Sequence, residues 1–153
     1  MSRKRCVRKH WALVDPIAHA IVGASIASEA RLDRLRIKEL SAIEAFSKGK
    51  ATPGDFRDIC DLLNVTETLG EMGIGPEALE WCEKVQNALL RVKDQYEKHG
   101  CMTLRAEELM AMRELYAYQD AQRTSIGLSV YEQAIQKTVN KIKGKAPNVR
   151  VLV

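Results

Sequence analysis

Apolar and polar positions alternate along most of this chain with a period near 3.6, the spacing of one helix face. The clearest case is Pro76 to His99, where Ala78, Cys82, Val85, Leu89, Val92 and Tyr96 form a narrow stripe among charged residues. Pro76 suits a first helical turn, and Lys98, His99 and Gly100 suit an exit. A stripe this narrow asks for partner helices, and the other helices are expected to pack around it.

Upstream, Glu29 to Lys48 reads as a helix whose broad face carries Leu32, Leu35, Leu40, Ile43 and Phe46, with Ile37 outside it. Arg36 and Glu39 lie close to that face as an i, i+3 pair, placed for an internal or interface ion pair or for a charged flank. Gly49-Lys50-Ala51 ends this helix, and Thr52-Pro53-Gly54-Asp55 has the form of a capping box with proline in the first turn. In the next run, Phe56, Ile59, Cys60 and Leu63 lie on one side and Val65, Leu69 and Met72 on nearly the opposite side. Either one helix is buried on two faces, or the chain turns near Asn64 in the manner of a helix-turn-helix. The second reading gives a reader, TETLGEMGIG, that has Glu67 and Glu71 but no Lys or Arg to meet a polyanion, so a packed helix is the expectation.

Gly73-Ile74-Gly75 predicts a turn, and Thr103 a cap for a helix with Leu109, Met112, Leu115 and Tyr116 on a wide apolar face. Gly127 interrupts the pattern, and Ser129 to Glu132 opens a last helix with the stripe Tyr131, Ile135, Thr138 and Ile142. Near the N-terminus, Asp15 and Pro16 predict a short helix with Ile17, Ile21 and Ala24 on one side. The expected fold is all-α, a single-domain irregular bundle of five or six helices. Residues 1–12 form a basic arm, 13–144 the helical domain and 145–153 a tail. The central seam and the wide face near Met112 also offer surfaces for homo-oligomers.

Charge adds to this picture. Residues 1–10 carry five Lys or Arg and no acid, and residues 137–153 carry five more, again with no acid. The body between holds 14 basic and 20 acidic side chains, a balance of −6. The candidate partner- or phosphate-binding residues are therefore Arg3, Lys4, Arg5, Arg8, Lys9 and Trp11 in the arm, Arg36 and Lys38 in the body, and Lys141, Lys143 and Lys145 near the far end.

Catalytic signatures are missing from the sequence. His10, His19 and His99 are far apart, no phosphate-binding or dinucleotide glycine pattern occurs, and there is no G-x-S-x-G elbow. Cys6, Cys60, Cys82 and Cys101 lack any C-x-x-C spacing, and neither Cys6-x-x-x-His10 nor His99-Gly100-Cys101 matches a zinc finger. No enzyme activity, metal or cofactor is expected. Free buried thiols at Cys60 and Cys82 suit a reducing cytoplasm. The basic start followed by small and apolar residues is broken by Asp15, Pro16 and His19, so it is not read as a signal peptide. No stretch approaches the roughly 20 apolar residues of a membrane span.

Three short motifs carry a resemblance. Leu35, Arg36 and Lys38 give L-R-x-K, Gly49, Ala51, Thr52 and Asp55 give G-x-A-T-x-x-D, and Asn64, Glu67 and Leu69 give N-x-x-E-x-L. With the basic, proline-containing start and the L-R-x-x-E-L segment from Leu104 to Leu109, the chain resembles small helical proteins carried by prophages and other mobile elements of proteobacteria. Some of those are loosely labelled Fis-like transcriptional regulators, but this C-terminal helix lacks the basic helix-turn-helix such a reader needs. The resemblance implies a phage or mobile-element accessory protein that binds a host or phage protein and inhibits or redirects a host system, such as a defence complex. The alternative is a nucleic-acid-binding regulator that grips phosphates with its basic ends.

Overall fold

A computed structural model describes residues 29–144, and the short helix expected after Asp15 lies outside them. These residues form five helices: α1 Glu29–Ser47, α2 Pro53–Glu71, α3 Ala78–His99, α4 Ala106–Ser125 and α5 Leu128–Gly144. No strand occurs among the described residues. The all-α bundle is as the periodicity requires.

Several boundaries follow from local chemistry. Thr52 Oγ1 accepts from the Asp55 N–H at 3.3 Å, and the Asp55 carboxylate accepts from the Thr52 N–H at 2.8 Å, with Pro53 opening the first turn. The α3 exit is at Gly100, whose φ of 68° is left-handed and whose N–H donates to the Tyr96 carbonyl. The expected Thr103 cap is not formed. Thr103 is instead tied to α3 by the Gln95 carboxamide, at 3.1 Å to its N–H and 2.9 Å to its Oγ1. The fourth helix starts after Arg105, whose N–H donates to the Glu108 carboxylate at 2.8 Å.

The α3 stripe is buried as expected at Ala78, Cys82, Val85, Leu89 and Val92, while Tyr96 at its end is 39% exposed. Yet α3 is not the organising element. It packs on α2 and α4, whereas α2 touches α1, α3, α4 and α5. The helix is continuous through Asn64, so there is no helix-turn-helix at that point. It is buried on two sides: Phe56, Ile59, Cys60, Leu62 and Leu63 enter the main core, and Thr66 and Leu69 extend the burial around the helix. Val65 and Met72 are only half-buried. A stripe read alone suggests a narrow seam, but a helix touching four others needs apolar or small residues most of the way round.

Residues from α1 to α4, with Met102, make the main core, including Phe46, Ile59, Val85, Leu89, Met112 and Leu115. The last helix lies outside that core. It rests on α2 through Ala134 and Thr138, and the Thr68 and Thr138 hydroxyls meet at 2.7 Å. At Gly70 in α2, an added Cβ would lie 2.9 Å from Leu79 Cδ2, so the missing side chain lets α3 begin against α2. On α1, Leu40 is 47% exposed, contrary to its expected place on the buried face. Glu39 and Ala42 take that face instead, because α4 supplies a cation to meet the carboxylate.

Candidate functional site

Arg36 and Glu39 do not pair with each other. Each reaches α4, where an acid and a base stand in the reverse order. Arg36 donates from Nε to Asp120 at 2.9 Å, and Arg123 donates to both Glu39 oxygens at 3.0 and 2.8 Å. Arg123 also donates to Asp120 at 3.0 Å, closing a four-residue network. The Arg123 side chain is fully buried and its guanidinium lies 5.9 Å from the Tyr116 ring centre. Burial pushes the Glu39 carboxyl above its usual range despite Arg123. Burial also works against ionisation of Asp120, but Arg36 and Arg123 outweigh it and hold that carboxyl below the usual range. The network fastens α1 to α4. Sequence reasoning found its α1 half and missed Asp120 and Arg123, although their i, i+3 spacing with opposite charge order was there to match.

Lys38 is likewise engaged, 3.0 Å from Asp58 of α2. Lys141 of α5 pairs with Glu71 of α2. Of the expected binding residues among those described, only Lys143 is exposed without an ion-pair partner there. Arg3, Lys4, Arg5, Arg8, Lys9, Trp11 and Lys145 lie outside the described residues, and with them the question of whether the two basic ends meet on one face.

Of the described thiols, Cys101 is exposed and two are withdrawn from solvent. Cys60 and Cys82 are buried, and burial pushes each thiol up to about 12. His99 is exposed at the end of α3. Among the described residues no three His, Cys, Asp or Glu side chains converge as a metal site, and no helix is long and apolar enough to cross a membrane.

The surface with the most interaction chemistry lies in the groove between α3 and α4. Trp81, half-buried, carries the Lys84 ammonium 4.2 Å from its ring centre. Met110 of α4 lines the same depression, 59% exposed. Arg91, Arg105 and Asn87 complete an open depression of about 620 Å³. Its wall is stiffened by Arg91, which donates from Nε to Glu108 at 2.7 Å and from Nη2 to the Thr103 carbonyl at 2.8 Å. Burial works against the Glu108 charge, but Arg91 and the Arg105 N–H hold its carboxyl below the usual range. Met112, expected on the wide apolar face with Leu109, Leu115 and Tyr116, is wholly buried inside the chain. Trp81 was not marked by the sequence pattern, since it falls beside the α3 stripe. Compared with known proteins, the chain matches no family model, no curated protein and no solved structure.

Proposed function

We propose that this protein acts by binding another protein, as an accessory factor of a phage or other mobile element, and that binding inhibits or redirects a host system. The observation that carries the reading is the Trp81–Met110 depression. Tryptophan, methionine and arginine are the residue types enriched in interface cores and hot spots, and here they share one open surface on the α3–α4 pair. Of the expected cations among the described residues, Arg36, Lys38 and Lys141 are held by carboxylates of the same chain, and Lys143 alone is left to meet a polyanion. The mobile-element setting rests on the sequence resemblance.

The test compares the full chain with Trp81→Ala and Met110→Asp as bait in bacterial lysate, with unfolding curves for all three. The expected result is a partner retained by the unaltered chain and lost by both variants at unchanged stability. Equal retention by all three would move the binding surface elsewhere. Sedimentation of the bait alone reads out a second copy on the same face. In parallel, nucleic-acid affinity is measured across a salt series. About six phosphate contacts would cost roughly a thousandfold in affinity between low and moderate salt, and that result would favour the regulator reading.

A further inference from the structure

The first and last helices both pack on α2 and leave a trough of about 260 Å³ between them. Leu35 of α1, Leu62 and Val65 of α2, and Ile135 and Val139 of α5 make its apolar walls. Gln119 of α4 lines its buried end. That side chain is 1% exposed, and its Oε1 has no hydrogen-bond donor among the described residues. A buried carbonyl without a donor costs free energy, and the remedy is a group entering from the trough. The rim is acidic. Glu39 and Asp58 are matched by Arg123 and Lys38, which leaves Asp61 without an ion-pair partner among the described residues. Partial burial pushes the Asp61 carboxyl upward, and Asp58 adds to the shift while Lys38 and Arg57 oppose it.

The trough therefore suits a segment with a narrow apolar stripe, a hydrogen-bond donor and positive charge. The chain itself carries one. The 28 residues before α1 join it six residues upstream of Leu35. Their sequence sets Ile17, Ile21 and Ala24 on one side of a short helix, preceded by five Lys or Arg within the first ten residues. We propose that this N-terminal segment folds back into the trough, with Ile17 and Ile21 against its apolar walls, a donor on the Gln119 carbonyl and the basic arm beside Asp61. The arm is then an intramolecular clamp between α1 and α5. Part of its positive charge then faces Asp61.

The test uses the full chain with Cys101→Ser and Lys137→Cys, so that spin labels enter at Cys6 and on the exposed side of α5. Cys60 and Cys82 are buried and take no label. A docked segment gives one narrow distance distribution between the labels. A free coil from Cys6 to Glu29 would average about 26 Å end to end with a broad spread. The narrow distribution should broaden in Ile17→Asp/Ile21→Asp and in Asp61→Lys, the latter an exposed position where folding is checked by circular dichroism. A broad distribution in the starting chain overturns the proposal, as does a narrow one that neither variant changes. Removal of residues 145–153 should leave it narrow. If the starting chain is broad and narrows on that removal, the C-terminal tail fills the trough instead.

Discussion

Glu39 and Arg123, 84 residues apart in sequence, are joined by two hydrogen bonds of 3.0 and 2.8 Å, and no part of the Arg123 side chain reaches solvent. Removing one member leaves the other as a buried charge without its main partner. Glu39→Ala should therefore cost about 3–5 kcal/mol of unfolding free energy in urea titration. Replacing both with apolar residues of similar volume, Glu39→Leu with Arg123→Met, should recover most of that loss. The pair costs desolvation that an apolar contact avoids. A double variant as unstable as the single one would show that Asp120, left facing Arg36 alone, also depends on Arg123.

Two glutamates should respond to acid in opposite ways. The Glu108 carboxyl is held below its ordinary range, so its contribution is present above about pH 4.3 and is lost as pH falls through its folded value. Glu108→Gln should cost about 1.5–3 kcal/mol at neutral pH and flatten the acid limb of the stability profile. Burial, with Glu71 beside it, raises the Glu67 carboxyl. Its contribution is complete below the unfolded value and is lost as pH rises through the folded one. Glu67→Gln should therefore stabilise the protein at neutral pH and steepen the acid limb. Urea midpoints measured between pH 3 and pH 7 on the two variants decide both signs, where about 4.3 is the unperturbed glutamate value.

What the sequence made legible was local. The Thr52–Asp55 box, the Gly100 exit and the α3 stripe depend on neighbours a few residues away, and each stands in the structure as read. What it hid was relational. Leu40 looks core-facing on a helical wheel, but the rotation of α1 is set by Arg123 and Asp120, which a wheel does not contain. Thr103 looks like a cap until Gln95, on the preceding helix, takes its N–H. Trp81 and Met110 line one surface only because α3 and α4 pack side by side, and which helices pair leaves no mark in periodicity.

Thiol chemistry gives a direct reading of burial. Cys60 and Cys82 are buried and each has a thiol pushed up to about 12, so almost none is thiolate at neutral pH. In a Cys6→Ser background, a disulfide reagent should modify Cys101 rapidly and the other two only as the protein unfolds. Their rate should follow the unfolding equilibrium when urea is added. Fast modification of Cys60 would show that α1 and α3 do not close over α2.

The position of α2 as the hub makes a prediction about where stability resides. Segments with many buried neighbours open only with global unfolding, whereas peripheral ones open locally at lower free energy. Amides from Ile59 to Leu69 should thus exchange most slowly, and those of α5, which rests on α2 outside the main core, should exchange sooner. Leu89→Ala in α3 and Leu69→Ala in α2 each remove a fully buried side chain and should each cost about 2–5 kcal/mol. They should differ in the exchange pattern. Leu89→Ala should lower protection across α1 to α4 together, because its neighbours belong to one shared core. Leu69→Ala should do the same and also release α5, since Thr68 beside it holds Thr138. If α3 amides outlast those of α2 in the unaltered protein, the Pro76–His99 stripe regains the central place that its pattern suggested.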